Sequence, residues 1–97
     1  MLFAVLFEDD PACGPIARKS HMGDHLAFLA AHAAQVRAAG PLLDDGQMPT
    51  GGLWIVEAAG PEEVKALVHA DPFWPTGLRK AVDIRPWRQV FPPAVTQ

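Results

Sequence analysis

The stretch LFAVLFE, residues 2–8, limits most severely what this chain can become. It is bounded by Asp9-Asp10-Pro11 and is far too short to cross a bilayer, so it reads as a strand ended by a breaker. Successive side chains of a strand point to opposite faces. Here both sets are apolar: Phe3, Val5 and Phe7 on one face, Leu2, Ala4 and Leu6 on the other. A strand of that kind needs cover on both sides. Helices of the same subunit can supply one cover, and a second subunit the other.

The helices come next along the chain. DPACGPIARKS reads as a loop from its prolines and glycine. From about Ser20 to Ala39, Leu26, Leu29, Ala33 and Val36 recur at spacings of three and four, which predicts a helix stopped by Gly40-Pro41. PLLDDG reads as a short strand, QMPTGG as a turn and LWIVEA as an apolar strand. GPEEVKALVHA predicts a second helix, with Pro61 at its first position and Glu62 and Glu63 complementing the positive end of its dipole. AVDIRPWRQV alternates, with Val82 and Ile84 opposed to Asp83 and Arg85, and Pro86 places this last strand at an edge or bulge.

The order β-α-β-β-α-β favours a ferredoxin-like α+β sandwich, one domain over residues 1–97, with both helices on one face of an antiparallel sheet. The other face is expected to carry Trp54 or its neighbours together with half of the first strand. An apolar face of that size marks an interface. A homodimer packed sheet to sheet, of the dimeric α+β barrel type, is therefore expected.

Composition narrows the partners. With 49% hydrophobic and 20% charged residues the chain is globular and soluble. Its net charge of −3 and its eight scattered basic residues, which make no patch, argue against a nucleic-acid or anionic-membrane binder. The single cysteine, Cys13, excludes an intrachain disulfide and suits a reducing compartment. No basic region precedes the first apolar run, so the expected location is cytoplasmic.

Two stretches carry candidate chemistry. In HMGDHLAFLAAH, His21, His25 and His32 share one flank of the expected helix, with His25 at the border between the wet flank and the apolar stripe. Spacing alone leaves two readings of His25: a surface histidine satisfied by water, or a partly desolvated imidazole suited to proton transfer. His21 and His25 with Asp24 make only a partial ligand set, and no HExxH or paired-cysteine framework accompanies them. No metal and no cofactor are expected.

The second stretch is HADPFWPTGL, residues 69–78. Pro72 disfavours helical geometry at Asp71, so the Asp71 carboxylate projects from the end of the second helix. That end is the negative pole of the dipole and calls for a partner. His69 is the local candidate and His25 the distant one. The plainer alternative is an Asp-Pro turn with Phe73 and Trp74 plugging the core. Phosphate-cradling glycine loops and a Ser-His-Asp elbow are both missing, which argues against group transfer from nucleotides and acyl-enzyme chemistry.

LFAVLFED, ARKSHMGDHLAFL, RAAGPLLDD, GGLWIVEAAGPEEVKALVHADPF and VDIRPWRQV together resemble the YCII-related (YciI-like) family, from Leu2 to about Phe91. The most specific matches are His25-Leu26, Ala39-Gly40-Pro41-Leu42 and Asp71-Pro72-Phe73. The resemblance implies a dimeric ferredoxin-like fold whose active site pairs His25 with Asp71. The carboxylate would orient the imidazole and leave its other nitrogen to move a proton. Phe73, Trp74 and Trp54 are candidates to line an apolar pocket for a small-molecule ligand, with Arg18 as a further candidate substrate-binding residue. Two departures stand out. Some relatives have an arginine just before the histidine, where this chain reads His21-Met22-Gly23 and only Arg18 is near. Some have a serine where this chain has Gly52, with Thr50 the neighbouring hydroxyl. The implied activity is a cofactor-independent elimination or isomerisation, dehydrochlorinase-like or muconolactone-isomerase-like, on a small cyclic organic acid. The alternative is a binding module, in which the same pocket holds a metabolite, or the dimer docks to another protein, without turnover.

Overall fold

In the computed structural model, which describes residues 1–93, the apolar first strand β1 (Leu2–Asp9) takes an interior place in a four-stranded sheet. It is followed by α1 (Gly14–Ala31), β2 (Val36–Leu43), β3 (Pro49–Glu57), α2 (Pro61–Ala70), a short 3-10 turn at Trp74–Thr76, and β4 (Arg79–Trp87). The strands lie in the order β2-β3-β1-β4 and each adjacent pair is antiparallel. This is the ferredoxin-like arrangement.

Register decides which side chains meet. Phe3 lies opposite Val56, and Val5 opposite Trp54 on one side and Ile84 on the other. These residues, with Phe7, form one buried face together with Val64, Leu67 and Val68 from α2. Phe28 and Leu29 of α1 close over the same cluster. Each such side chain stabilises the fold by about 1.5–3 kcal/mol on leaving water. The residues of opposite parity, Leu2, Ala4 and Leu6 of β1 with Leu53 and Ile55 of β3, face away from the helices. Trp54 is only 2% exposed and belongs to the helix-covered face, so the expectation that it lies on the open face is corrected: its neighbours do.

α1 differs from the sequence reading at both ends. It begins at Gly14 inside the expected loop, because Pro15 occupies the first turn, where a missing N–H costs nothing. It stops at Ala31, well before the expected Gly40-Pro41. A turn closed by the Gln35 and Val36 N–H groups on the His32 carbonyl leads directly into β2. Pairing of Val36 with Val56 outweighs the helical preference of Ala33 and Ala34. Gly40 and Pro41 sit within β2, an edge strand, where a proline forfeits little. The GPLL segment is thus part of a longer strand, and the expected QMPTGG turn contributes Pro49–Gly52 to β3.

Shortening α1 also changes its inner stripe. Leu26 is 57% exposed, while Ala17, His25, Phe28 and Leu29 face inward. His25 therefore stands on the buried face and not at its border. Leu26→Ala is expected to change unfolding free energy by about 0.5 kcal/mol or less. Phe3→Ala should cost about 3–5 kcal/mol. Urea titration of both variants checks the assignment, and a large penalty for Leu26→Ala would contradict it.

Candidate functional site

The turn after α2 shapes the site. Asp71 is the C-cap residue of α2, with φ −65° and ψ 133°, the extended geometry that Pro72 imposes on the residue before it. Its carboxylate turns inward and accepts the Phe73 N–H at 3.0 Å. The chain then passes through Trp74–Thr76 and is released by Gly77, whose φ of 80° suits a residue without a Cβ.

Three donors converge on that carboxylate. His25 Nδ1 lies 3.0 Å from both of its oxygens. Arg79 Nη1 donates to Oδ2 at 2.6 Å, and the Phe73 N–H completes the set. The side chain of Asp71 is wholly withdrawn from solvent, a costly place for a charge without such partners. Burial alone raises its pKa. The His25 hydrogen bond, the Phe73 N–H and the charges of Arg79 and His25 outweigh that and hold it below the ordinary carboxylate value. Asp71 is therefore an anion at neutral pH. Burial lowers the pKa of the Arg79 guanidinium, opposed by its attraction to Asp71.

An ionised carboxylate only accepts hydrogen bonds, so it selects the His25 tautomer with the proton on Nδ1. In the neutral ring Nε2 is then a bare lone pair. It has no hydrogen-bond partner among the described residues, and no side-chain nitrogen or oxygen among them is both sealed and unpartnered, so Nε2 touches solvent. The ring is clamped against Phe73, with centroids 4.2 Å apart and planes at 25°, and Trp54 lies 6.5 Å away on a similar tilt. Arg79 packs its guanidinium over Phe7 at 4.0 Å and Trp54 at 5.2 Å. Aromatic faces thus hold both partners of Asp71.

A second ion pair stands nearby. Arg18 grips Asp9 with two bonds, Nε to Oδ2 at 3.0 Å and Nη2 to Oδ1 at 3.2 Å, and Nη2 also donates to the Gly51 carbonyl at 3.0 Å. Arg18 therefore ties α1 to the ends of β1 and β3, and its hydrogen bonds go neither to His25 nor to Asp71. A Cβ at residue 51 would collide with the Phe7 carbonyl oxygen, so glycine is required where the strands meet this closely. At Gly52 a Cβ would press on the Phe7 ring at 3.3 Å. The Thr50 hydroxyl bonds the Leu42 carbonyl at 3.5 Å in the β2–β3 hairpin.

Of the residues picked from sequence, His25, Asp71, Phe73 and Trp54 come together. Trp74 turns instead toward His69, 4.4 Å away, beside a cavity between α2 and β4. His69, the local candidate partner for Asp71, is exposed on the outside of α2. His21 lines a second cavity with Cys13, Ala17, Pro72 and Thr76, and His25 lines neither cavity.

Arg79 and Asp9 escaped the sequence reading. Asp9 was legible in principle: it continues the inward parity of Phe3, Val5 and Phe7, so a buried carboxylate in need of a cation follows. Arg79 was not. Counting back by twos from Ile84 and Val82 points Lys80 inward. A register shift at Glu8/Asp9 pairs Asp9 with Arg79 and turns that residue inward instead.

The sequence profile of the YCII-related domain matches residues 1–88. The solved structure of a 5-chloro-2-hydroxyhydroquinone dehydrochlorinase from Burkholderia phenoliruptrix AC1100, in complex with 2,5-dihydroxybenzoquinone, is similar at 32% identity and a TM-score of 0.79, covering 91% of this chain and 94% of that one. An uncharacterized NIPSNAP domain protein from Burkholderia xenovorans shares the fold at 15% identity and a TM-score of 0.53, covering 97% and 100% of the two chains. No curated protein matches the chain. No helix among the described residues is long and apolar enough to cross a membrane.

Asp71→Asn removes the charge facing Arg79 and is expected to cost about 3–5 kcal/mol at neutral pH. The carboxyl titrates below its ordinary 3.8 in the folded protein. The wild-type advantage should therefore persist above 3.8 and be lost as pH falls through the lower folded-state value. Urea unfolding of both proteins across acid pH measures this. A penalty that stays constant into strong acid would contradict the assignment.

Proposed function

This chain belongs to the YCII-related domain family, and from that premise we propose a cofactor-independent enzyme that moves a proton with His25 while Asp71 holds the imidazole. The observation that carries this reading is the two-sided use of one ring: Nδ1 engaged by a buried carboxylate, Nε2 without a partner among the described residues and in contact with solvent. A histidine so arranged is ready to act as a general base and then to return the proton as an acid. The reaction class is elimination or isomerisation. In the first, Nε2 takes a proton from the substrate and a leaving group such as chloride departs with its electron pair. In the second, the same proton is returned to another atom of the ring.

The substrate class is a small cyclic organic acid, including acidic hydroxylated rings. Support comes from the similar dehydrochlorinase and from the solvent contact of the His25 Nε2 edge. Purified protein should release chloride from chlorinated hydroxyhydroquinones, and His25→Ala should lower kcat by about 10²–10⁴-fold. Equal turnover by His25→Ala would contradict the role given to the ring. A non-catalytic reading draws on a different observation: neither cavity is lined by His25. It expects a bound ligand retained without product in the same assay.

We further propose a homodimer joined through the sheet face that the helices leave bare. Leu6, Leu53, Ile55 and Trp87 lie on that face, and Leu6 and Trp87 are the more exposed. Light scattering at micromolar concentration should give twice the chain mass, and Ile55→Asp should give the single-chain mass. A monomeric wild-type protein would contradict the proposal.

A further inference from the structure

Arg79 has two sides. Nη1 faces Asp71, and the residue also lines a cavity of about 460 Å³ between α2 and β4. That volume falls in the range of roughly 300–1,000 Å³ typical of small-molecule pockets. The Arg79 side chain is only 5% exposed. Its Nε and Nη2 nevertheless have no partner among the described residues and are not sealed from solvent. A guanidinium presents these N–H groups as a planar fork that matches the two oxygens of a carboxylate. Here the fork is held rigid by Phe7, Trp54 and Asp71, so little order has to be imposed on binding.

The rest of the cavity suits a ring. Trp74, whose ring lies 4.4 Å from that of His69 at a 30° tilt, forms one wall, and Val68, Val82 and Ile84 supply apolar surface. Lys65 and Lys80 stand on the lining with one acid, Glu62. Lys80 is drawn to Glu8 at 3.5 Å, whereas Lys65 has no carboxylate partner among the described residues. We propose that this cavity is a second ligand site, which takes a planar cyclic carboxylate: the carboxylate on the Arg79 fork, the ring against Trp74, and Lys65 at the mouth. This site is separate from the Nε2 edge of His25 and stands whether or not that ring turns over a substrate.

The probe is benzoate, with benzyl alcohol as its neutral counterpart and acetate as the ringless one, followed by NMR of the intact protein. Benzoate should shift the Val68, Val82 and Ile84 amides and the Trp74 indole N–H saturably, and at least ten-fold more tightly than either counterpart. Lys65→Glu, a change on the exposed side of α2, should weaken benzoate at least five-fold while leaving the spectrum of the free protein otherwise intact. Arg79→Lys should weaken it at least ten-fold where the fold is retained. In the wild-type protein, saturating benzoate should leave the His25 ring protons unshifted. Benzoate and benzyl alcohol binding alike, or Lys65→Glu without effect, would overturn the proposal. So would benzoate shifts centred on the His25 ring protons, which would put the ligand at the proton-transfer ring and leave the proposed function standing.

Discussion

The buried carboxylate of Asp71 is the constraint on which the rest of this structure turns. A charge removed from water is tolerated only where donors surround it. Here one donor comes from each of three places: His25 on α1, Arg79 on β4, and the backbone of Phe73 in its own turn. The same three contacts that keep Asp71 ionised also dock α1 and the end of α2 against the sheet. Structure and candidate chemistry are therefore not separable at this point, and a change at Asp71 reaches both.

The aromatic residues gain a role from this. Phe73 and Trp54 would be ordinary core residues beside an apolar neighbour, yet here their faces hold the imidazole, and Phe7 and Trp54 hold the guanidinium. Flat contacts of this kind fix ring orientation as well as position. Orientation is what a proton-transfer group needs, because only one nitrogen can be presented to a substrate at a time. The Arg18–Asp9 pair performs a structural version of the same task, tying α1 to the strand ends through a bidentate bond.

Much of this was legible before the fold was known. The two-faced LFAVLFE strand, the Pro61 helix start and the edge position of Pro86 follow from local rules and hold in three dimensions. The Asp71-Pro72 geometry was readable because proline restricts the residue before it. The end of α1 was not, since nothing local distinguishes Ala33 and Ala34 from helix interior and the decision is made by Val36 pairing with Val56. Arg79 was hidden for a similar reason: a one-residue slip in the β1–β4 ladder reverses which side chain points inward. Errors fell where distant pairing overrides local pattern.

The central claim is that Asp71 fixes the tautomer of His25 and leaves Nε2 free to take a proton. A long-range proton–nitrogen NMR correlation on the neutral His25 ring reads this directly, in the wild-type protein and in Asp71→Asn. The wild-type ring should be protonated at Nδ1 and bare at Nε2, with that preference lost in the variant. A wild-type ring protonated at Nε2, or identical spectra in the two proteins, would contradict the account.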